Sequence, residues 1–192
     1  PPRTGPRALH LGQFPGAAAA RGRAERYPFP VFPGIADALT LGTGKRAVDG
    51  GVLIGEHGDY PENEKGQTLY PRYEFFKEAV KVFEASGRSV PVFNDKHLSW
   101  NFAWAKQMVD SARSMNFPLL AGSSLPVTWR MPSIDLPYGA EVEEILGVAF
   151  GAVDIYDFHV LEMMQCMAGR RKGGETGIGK GEEIRGECGG AL

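Results

Sequence analysis

The sequence predicts an α/β fold built on a parallel sheet, and three observations carry that expectation. First, short apolar runs with no polar alternation recur along the chain: Val52-Leu53-Ile54, Val90-Pro91-Val92-Phe93 and Phe117-Pro118-Leu119-Leu120. Strands covered on both faces, as in a parallel sheet, read this way. Second, stretches of helical period separate these runs. Third, Gly and Pro cluster where one kind of stretch gives way to the other.

Strand, helix, strand, helix, strand at this spacing is the mark of right-handed βαβ crossovers. The expected architecture is a Rossmann-like parallel sheet with helices on both faces over residues 1–125, followed by the start of an α+β domain over 126–172 and a flexible Gly-rich tail over 173–192. In order, "GAAAARGRAERY" suits a short helix because Ala and Arg are good helix formers. "FPVFPG" reads as a short strand between breakers, and "IADALTLGTG" as a short helix stopped by Gly42 or Gly44. The first apolar run follows. In Tyr73–Ala85, Phe76, Ala79, Val80 and Phe83 fall at i, i+3, i+4 and i+7, an amphipathic helix that Gly87 ends. After the second run, Ser99 is placed to cap a helix whose Trp100, Trp104 and Met108 lie near one face. Beyond the third run, "LPVTWRMPSIDLP" is a Pro-punctuated connection, "AEVEEILGVAFG" reads as a longer strand, and "DFHVLEMMQCMAGRRK" as an apolar helix with a basic C-terminal end.

Composition narrows the function classes. The 192 residues are 43% hydrophobic and 23% charged, with a net charge of −2. Nothing in that balance favours nucleic acid or an anionic membrane as partner. The two cysteines, Cys166 and Cys188, form neither a metal-type pair nor a disulfide framework, so a reducing cytoplasm is expected. No apolar run approaches the roughly 20 residues of a membrane span. The start "PPRTGPRALHLGQFPG" has neither an initiator Met nor a continuous apolar core, and the chain reads as a fragment or a processed product. The expected partner is a small-molecule substrate, and assembly into a homo-oligomer is compatible with the sequence.

In open parallel sheets, ligands sit at the carboxyl ends of the strands. Two polar clusters fall there: Glu56, His57 and Asp59 in "GEHGDYP", and Asp95, Lys96 and His97 in "NDKH". A single helix joins the two strands, so both clusters should face one crevice. A lysine supplies a cationic hydrogen-bond donor or, desolvated, a base, a histidine changes charge near neutral pH, and an aspartate can hold either in place. The same residues read equally as a solvated loop, with His97 packing at the helix start. His159 and Glu162 share a helix face at i, i+3, which also describes a local hydrogen-bonded pair. Arg130 in "VTWRMP" suits an ion pair as well as an anion clamp. No metal-ligand spacing is present, so no metal ligands are assigned. "GETGIGKG" lacks the spacing and preceding strand of a phosphate loop.

The pieces "IADALTLG", "VDGGVLIG", "VFNDKHLS", "FPLLAGSS" and "TWR", in this order, resemble the Gfo/Idh/MocA family, relatives of glucose-fructose oxidoreductase and inositol dehydrogenase. Asp95-Lys96-His97 stands where the family has Glu-Lys-Pro. "AFGAVDIYDFHVLE" is similar to the family's Asp-x-Gly-x-His helix start, with His159 in the histidine position. The resemblance spans about Pro30 to Arg171 and lies in order and spacing more than in residue identity. It implies an NAD or NADP cofactor, Lys96 near the nicotinamide ring and substrate, and His159 as the proton-transfer group opposite. A hydride transfer coupled to removal of a hydroxyl proton uses such a pair. The sequence departs from the family in lacking G-x-G-x-x-G, and Ile155 occupies the place of the helix-start aspartate.

Three readings follow. One is an oxidoreductase, or part of one, acting on a sugar or polyol-like substrate. Another is a non-redox enzyme on the same scaffold, with or without a metal. The third is a catalytically silent binding protein.

Overall fold

The computed structural model describes residues 9–10, 25–26, 30–55 and 59–180. Glu25 and Arg26 of the helix predicted in "GAAAARGRAERY" are helical, and the rest of that stretch, the predicted site residues Glu56 and His57, and the end of the Gly-rich tail lie outside the described residues.

The fold is α/β around a three-stranded parallel sheet. Strands β1 (Leu9–His10) and β2 (Val31–Phe32) form a separate parallel pair. Helix α1 (Ile35–Thr40) follows and ends at Leu41 and Gly42, both with positive φ. Then come β3 (Gly51–Leu53), α2 (Arg72–Ser86), β4 (Val92–Asp95), α3 (Phe102–Ser114) and β5 (Leu119–Gly122). A 3₁₀ turn at Leu125–Val127 and a helix, α4 (Val153–Ala168), follow among the described residues.

The sheet order is β3-β4-β5, with Val52 level with Phe93 and Phe93 level with Leu120. Both crossovers run the same way along the sheet, and right-handed crossovers then place both helices on one face. Phe76, Ala79, Val82 and Phe83 of α2, Met108 and Ala112 of α3, and Val92 of β4 accordingly form one core, joined by Ile35, Leu39, Val90 and Phe117. Phe117 sits edge-on to Phe83 at 5.4 Å between ring centroids.

The expectation of helices on both faces is corrected here. Among the described residues the second face is bare: Val52 is 66% exposed, Phe93 39% and Leu120 57%. The apolar run in β3 is real, but its outward residue has no helix over it. Three smaller differences have local causes. The α3 cap is Asn101, whose Oδ1 accepts the Trp104 N–H at 3.2 Å, while Ser99 Oγ accepts the Asn101 N–H one step earlier. Both residue types cap well, and the chain uses the second. Residues 141–150 form no strand. They run beside α4, where a Cβ on Gly147 would meet Val160 and Met164 at 2.5 Å, and a helix flank offers no ladder of hydrogen-bond partners. The basic run Arg170-Arg171-Lys172 falls after α4 rather than in its last turn.

Candidate functional site

The carboxyl ends of β4 and β5 meet the first half of α4. At the end of β4, Asn94 is 1% exposed and its amide Nδ2 donates to the carbonyls of Asp95 at 3.0 Å and His97 at 3.2 Å. Those two bonds fold the Asp95-Lys96-His97 segment back over the strand end. The Lys96–His97 peptide is cis. Lys96 Nζ lies 3.6 Å from Asp95 Oδ2, and both side chains are largely buried. At the end of β5, Ser123 is gripped twice by α4. Its Oγ is hydrogen-bonded to His159 Nδ1, and its N–H donates to Glu162 Oε2 at 3.3 Å. The i, i+3 pair on α4 therefore closes on a strand end instead of on itself. Gly122 fits this approach, since a Cβ there would stand 2.8 Å from Glu162 Oε2.

The two strand ends are linked through α4. His97 packs edge-on against Phe158 at 5.7 Å, and Phe158 is followed by His159, with 6.3 Å between those rings. Asp154, in the first turn of α4, accepts the Thr68 N–H at 2.9 Å and ties down the loop between β3 and α2. That loop brings Tyr60 edge-on to Tyr70 at 5.6 Å, and the guanidinium of Arg72 lies 4.2 Å from the Tyr70 ring centre. Arg72 is 3% exposed, a buried cation beside the site.

Two groups have shifted titration. The His97 pKa is lowered, first by burial and then by the Arg72 charge; its hydrogen bond with the Ser99 backbone and Asp154 push the other way, and Lys96 adds to the lowering. His97 is therefore neutral at neutral pH. Burial pushes the Tyr60 hydroxyl up, Arg72 opposes this, and Tyr70 adds to it. Tyr60 Oη is enclosed without a hydrogen-bond partner among the described residues.

Of the predicted site residues, Asp95, Lys96, His97 and His159 come to one end of the sheet. Asp59 is exposed on the loop leading to Tyr60. Arg130 goes elsewhere. It pairs with Asp135, donates to the Pro126 carbonyl at 3.4 Å and approaches Cys166 Sγ at 3.7 Å. Cys166 is seven residues beyond His159, about 10 Å along the helix at 1.5 Å per residue. Arg130 thus braces the 126–135 connection against the far half of α4. Sequence reasoning missed Ser123, Asn94, Tyr60, Arg72 and Asp154. Ser123 was within reach of the strand-end rule that found Asp95, because it follows β5 as Lys96 follows β4.

Among the described residues, no group of three or more His, Cys, Asp or Glu could hold a metal ion. The NAD or NADP that the resemblance implies needs a pyrophosphate cradle, usually a tight glycine turn running into a helix N-terminus. The described residues do not fit that role. Loop 54–71, not a tight turn, joins β3 to α2, and α2 opens on Pro71 and a buried Arg72 stacked on Tyr70. Among the described residues the order β3-β4-β5 also has no reversal and so no switch point. No helix among the described residues is long and apolar enough to cross a membrane. No family model matches the chain, and comparison with curated proteins and with solved structures gives no match either.

Proposed function

We propose that this chain is an enzyme acting on a sugar or polyol-like small molecule at the carboxyl end of the β3-β4-β5 sheet. His159 is its acid–base group, facing a carbon-bound oxygen of the substrate, and Lys96 is the cation that balances charge on that oxygen. The observation that carries this reading is the convergence of Lys96, His97, Ser123 and His159 under the first half of α4. A partly buried lysine held beside a carboxylate and an imidazole fixed by a hydroxyl are groups suited to general acid–base work.

An oxidoreductase of the Gfo/Idh/MocA kind, on a Rossmann-like half-sheet whose second domain begins near residue 126, is the second reading. One observation favours it: Lys96 and His159, the two residues to which the resemblance gives roles, reach the same end of the sheet. A dinucleotide's pyrophosphate would have to be held by groups other than those described.

The test is a turnover screen of sugars and polyols with the full chain, once with nicotinamide cofactors and once following exchange of substrate C–H protons in deuterated water. Turnover lost in both Lys96→Ala and His159→Gln, with the fold retained, is the expected result. Full activity in either variant contradicts the assigned role. Cofactor-dependent turnover would select the second reading.

A further inference from the structure

We propose that residues 144–150 are an edge strand that pairs, antiparallel, with the same residues of a second copy of this chain. The sequence carries a strand pattern here, and along 141–150 the backbone runs without a turn or bend. None of its N–H or C=O groups takes part in a backbone hydrogen bond among the described residues. A ladder begins just before it. The Gly139 N–H donates to the Arg170 carbonyl and the Lys172 N–H to the Ala140 carbonyl, both at 2.8 Å. It goes no further because Gly173 and Gly174, with φ of 88° and 69°, turn the chain away. Side chains of an extended stretch alternate between its two sides. Gly147 lies against Val160 and Met164 of α4. Leu146, Val148 and Phe150 have the opposite parity and are 84%, 78% and 83% exposed. Residues 141–150 contain no Pro and no Lys, the usual guards of an open strand edge. An unguarded edge with an apolar row is the form that recruits another strand.

Two features select a second copy as the occupant. The first is self-complementarity. About a two-fold axis at Val148, residues of equal parity come opposite one another, so one exposed row meets the other. Val148 then faces Val148, and Leu146 of each copy faces Phe150 of the other, close enough for side-chain contact across the ladder. The second is charge. Glu141, Glu143 and Glu144 all lie at the N-terminal end of the stretch, and only Glu141 is paired by a salt bridge among the described residues, with Lys172 at 3.2 Å. Antiparallel pairing sets the two acidic ends at opposite ends of the ladder. Parallel pairing would set them side by side, and like charges directly opposite are destabilising. The chain after α4 comes back beside Ala140 on one edge, and the second copy takes the other. A ladder this short is smaller than a standard interface of about 800 Å² per partner, so a reversible dimer, half formed on the order of 10–100 µM, is expected. None of these residues belongs to the site at the sheet end.

The experiment is sedimentation velocity of the full chain from about 1 µM to about 1 mM, a range that brackets the expected dissociation constant. The mass should rise from 20.8 kDa to twice that value and stop there. Val148→Lys puts two like charges opposite each other at the axis and should weaken the dimer about tenfold or more. Leu146→Lys and Phe150→Glu should each weaken it, and the two together should restore it, because each lysine then faces a glutamate of the other copy. All three side chains are mostly exposed, so the circular-dichroism spectrum should stay that of the wild type. A chain that remains monomeric at the highest concentration overturns the proposal. So does a dimer that Val148→Lys leaves intact, which would place the contact on another surface such as the bare face of the sheet. A double variant no stronger than its two parents overturns the antiparallel register, and association that continues past two copies overturns the closed pair.

Discussion

Replacing Asn94 by Asp tests how the Asp95-Lys96-His97 segment is held. Asn94 Nδ2 donates to two carbonyls, and the side chain is 1% exposed. The substitution keeps shape and removes both donors. Two lost hydrogen bonds at about 0.5–1.5 kcal/mol each give roughly 1–3 kcal/mol. An ionised carboxylate buried against two carbonyl oxygens adds a desolvation cost, taking the total to about 3–5 kcal/mol. That is a large share of the 5–15 kcal/mol typical of a domain. Burial raises the new carboxyl's pKa in the folded state. Above its ordinary value near 4 the unfolded chain ionises more readily than the native one, so the deficit grows as pH rises and shrinks in acid. Asn94→Leu separates the terms. It loses the same two bonds but relieves Oδ1, which is buried without a partner, so it should cost about 0–2 kcal/mol with no pH dependence of its own. Urea unfolding of all three proteins between pH 4.5 and 8 supplies the numbers. An Asp variant within 1 kcal/mol of wild type at every pH would refute the reasoning.

His97 is neutral when folded, so the native state should lose stability as pH falls below about 6.5, where the unfolded chain's histidine takes up a proton first; His97→Gln should remove that part of the acid sensitivity in the same unfolding series. Gly151→Ala places a Cβ 2.2 Å from the Tyr156 ring at a backbone φ of 138°, and should cost about 1–3 kcal/mol by thermal unfolding while loosening the start of α4. Arg130→Ala removes a half-exposed ion pair and should change stability by about 0–1 kcal/mol and leave ligand binding at the sheet end unaltered; a lost ligand would restore Arg130 to the site. Lys96→Ala should abolish turnover and leave the circular-dichroism spectrum unchanged.

What the sequence made legible is what local pattern determines. Helix α2 was readable to within a residue at each end because Phe76, Ala79 and Phe83 repeat at helical spacing and Gly87, with φ 62°, stops it. Strand β4 and its pairing with β3 followed from one connecting helix, and the placement of Asp95, Lys96 and His97 followed from the strand-end rule. What it hid depends on partners distant in the chain. Val52 reads as buried because it is apolar, yet no helix of the described residues crosses over it. Residues 141–150 alternate in a strand-like way at Leu146, Val148 and Phe150, but no strand of the described residues pairs with them to complete a ladder. Ser123 is an ordinary serine until α4 brings His159 and Glu162 to it from 36 and 39 residues away. Arg130 shows the reverse case: of the two readings its sequence allowed, the ion pair is the one formed, with Asp135 five residues on.

The most direct test of the site is a backbone amide map of the ¹⁵N-labelled chain titrated with dihydroxyacetone. The account predicts saturable shifts confined to Asn94–Leu98, Gly122–Leu125 and the first half of α4, all of them lost in Lys96→Ala or His159→Gln. Shifts confined to the Thr128–Asp135 connection, or no saturable shift anywhere, would contradict it.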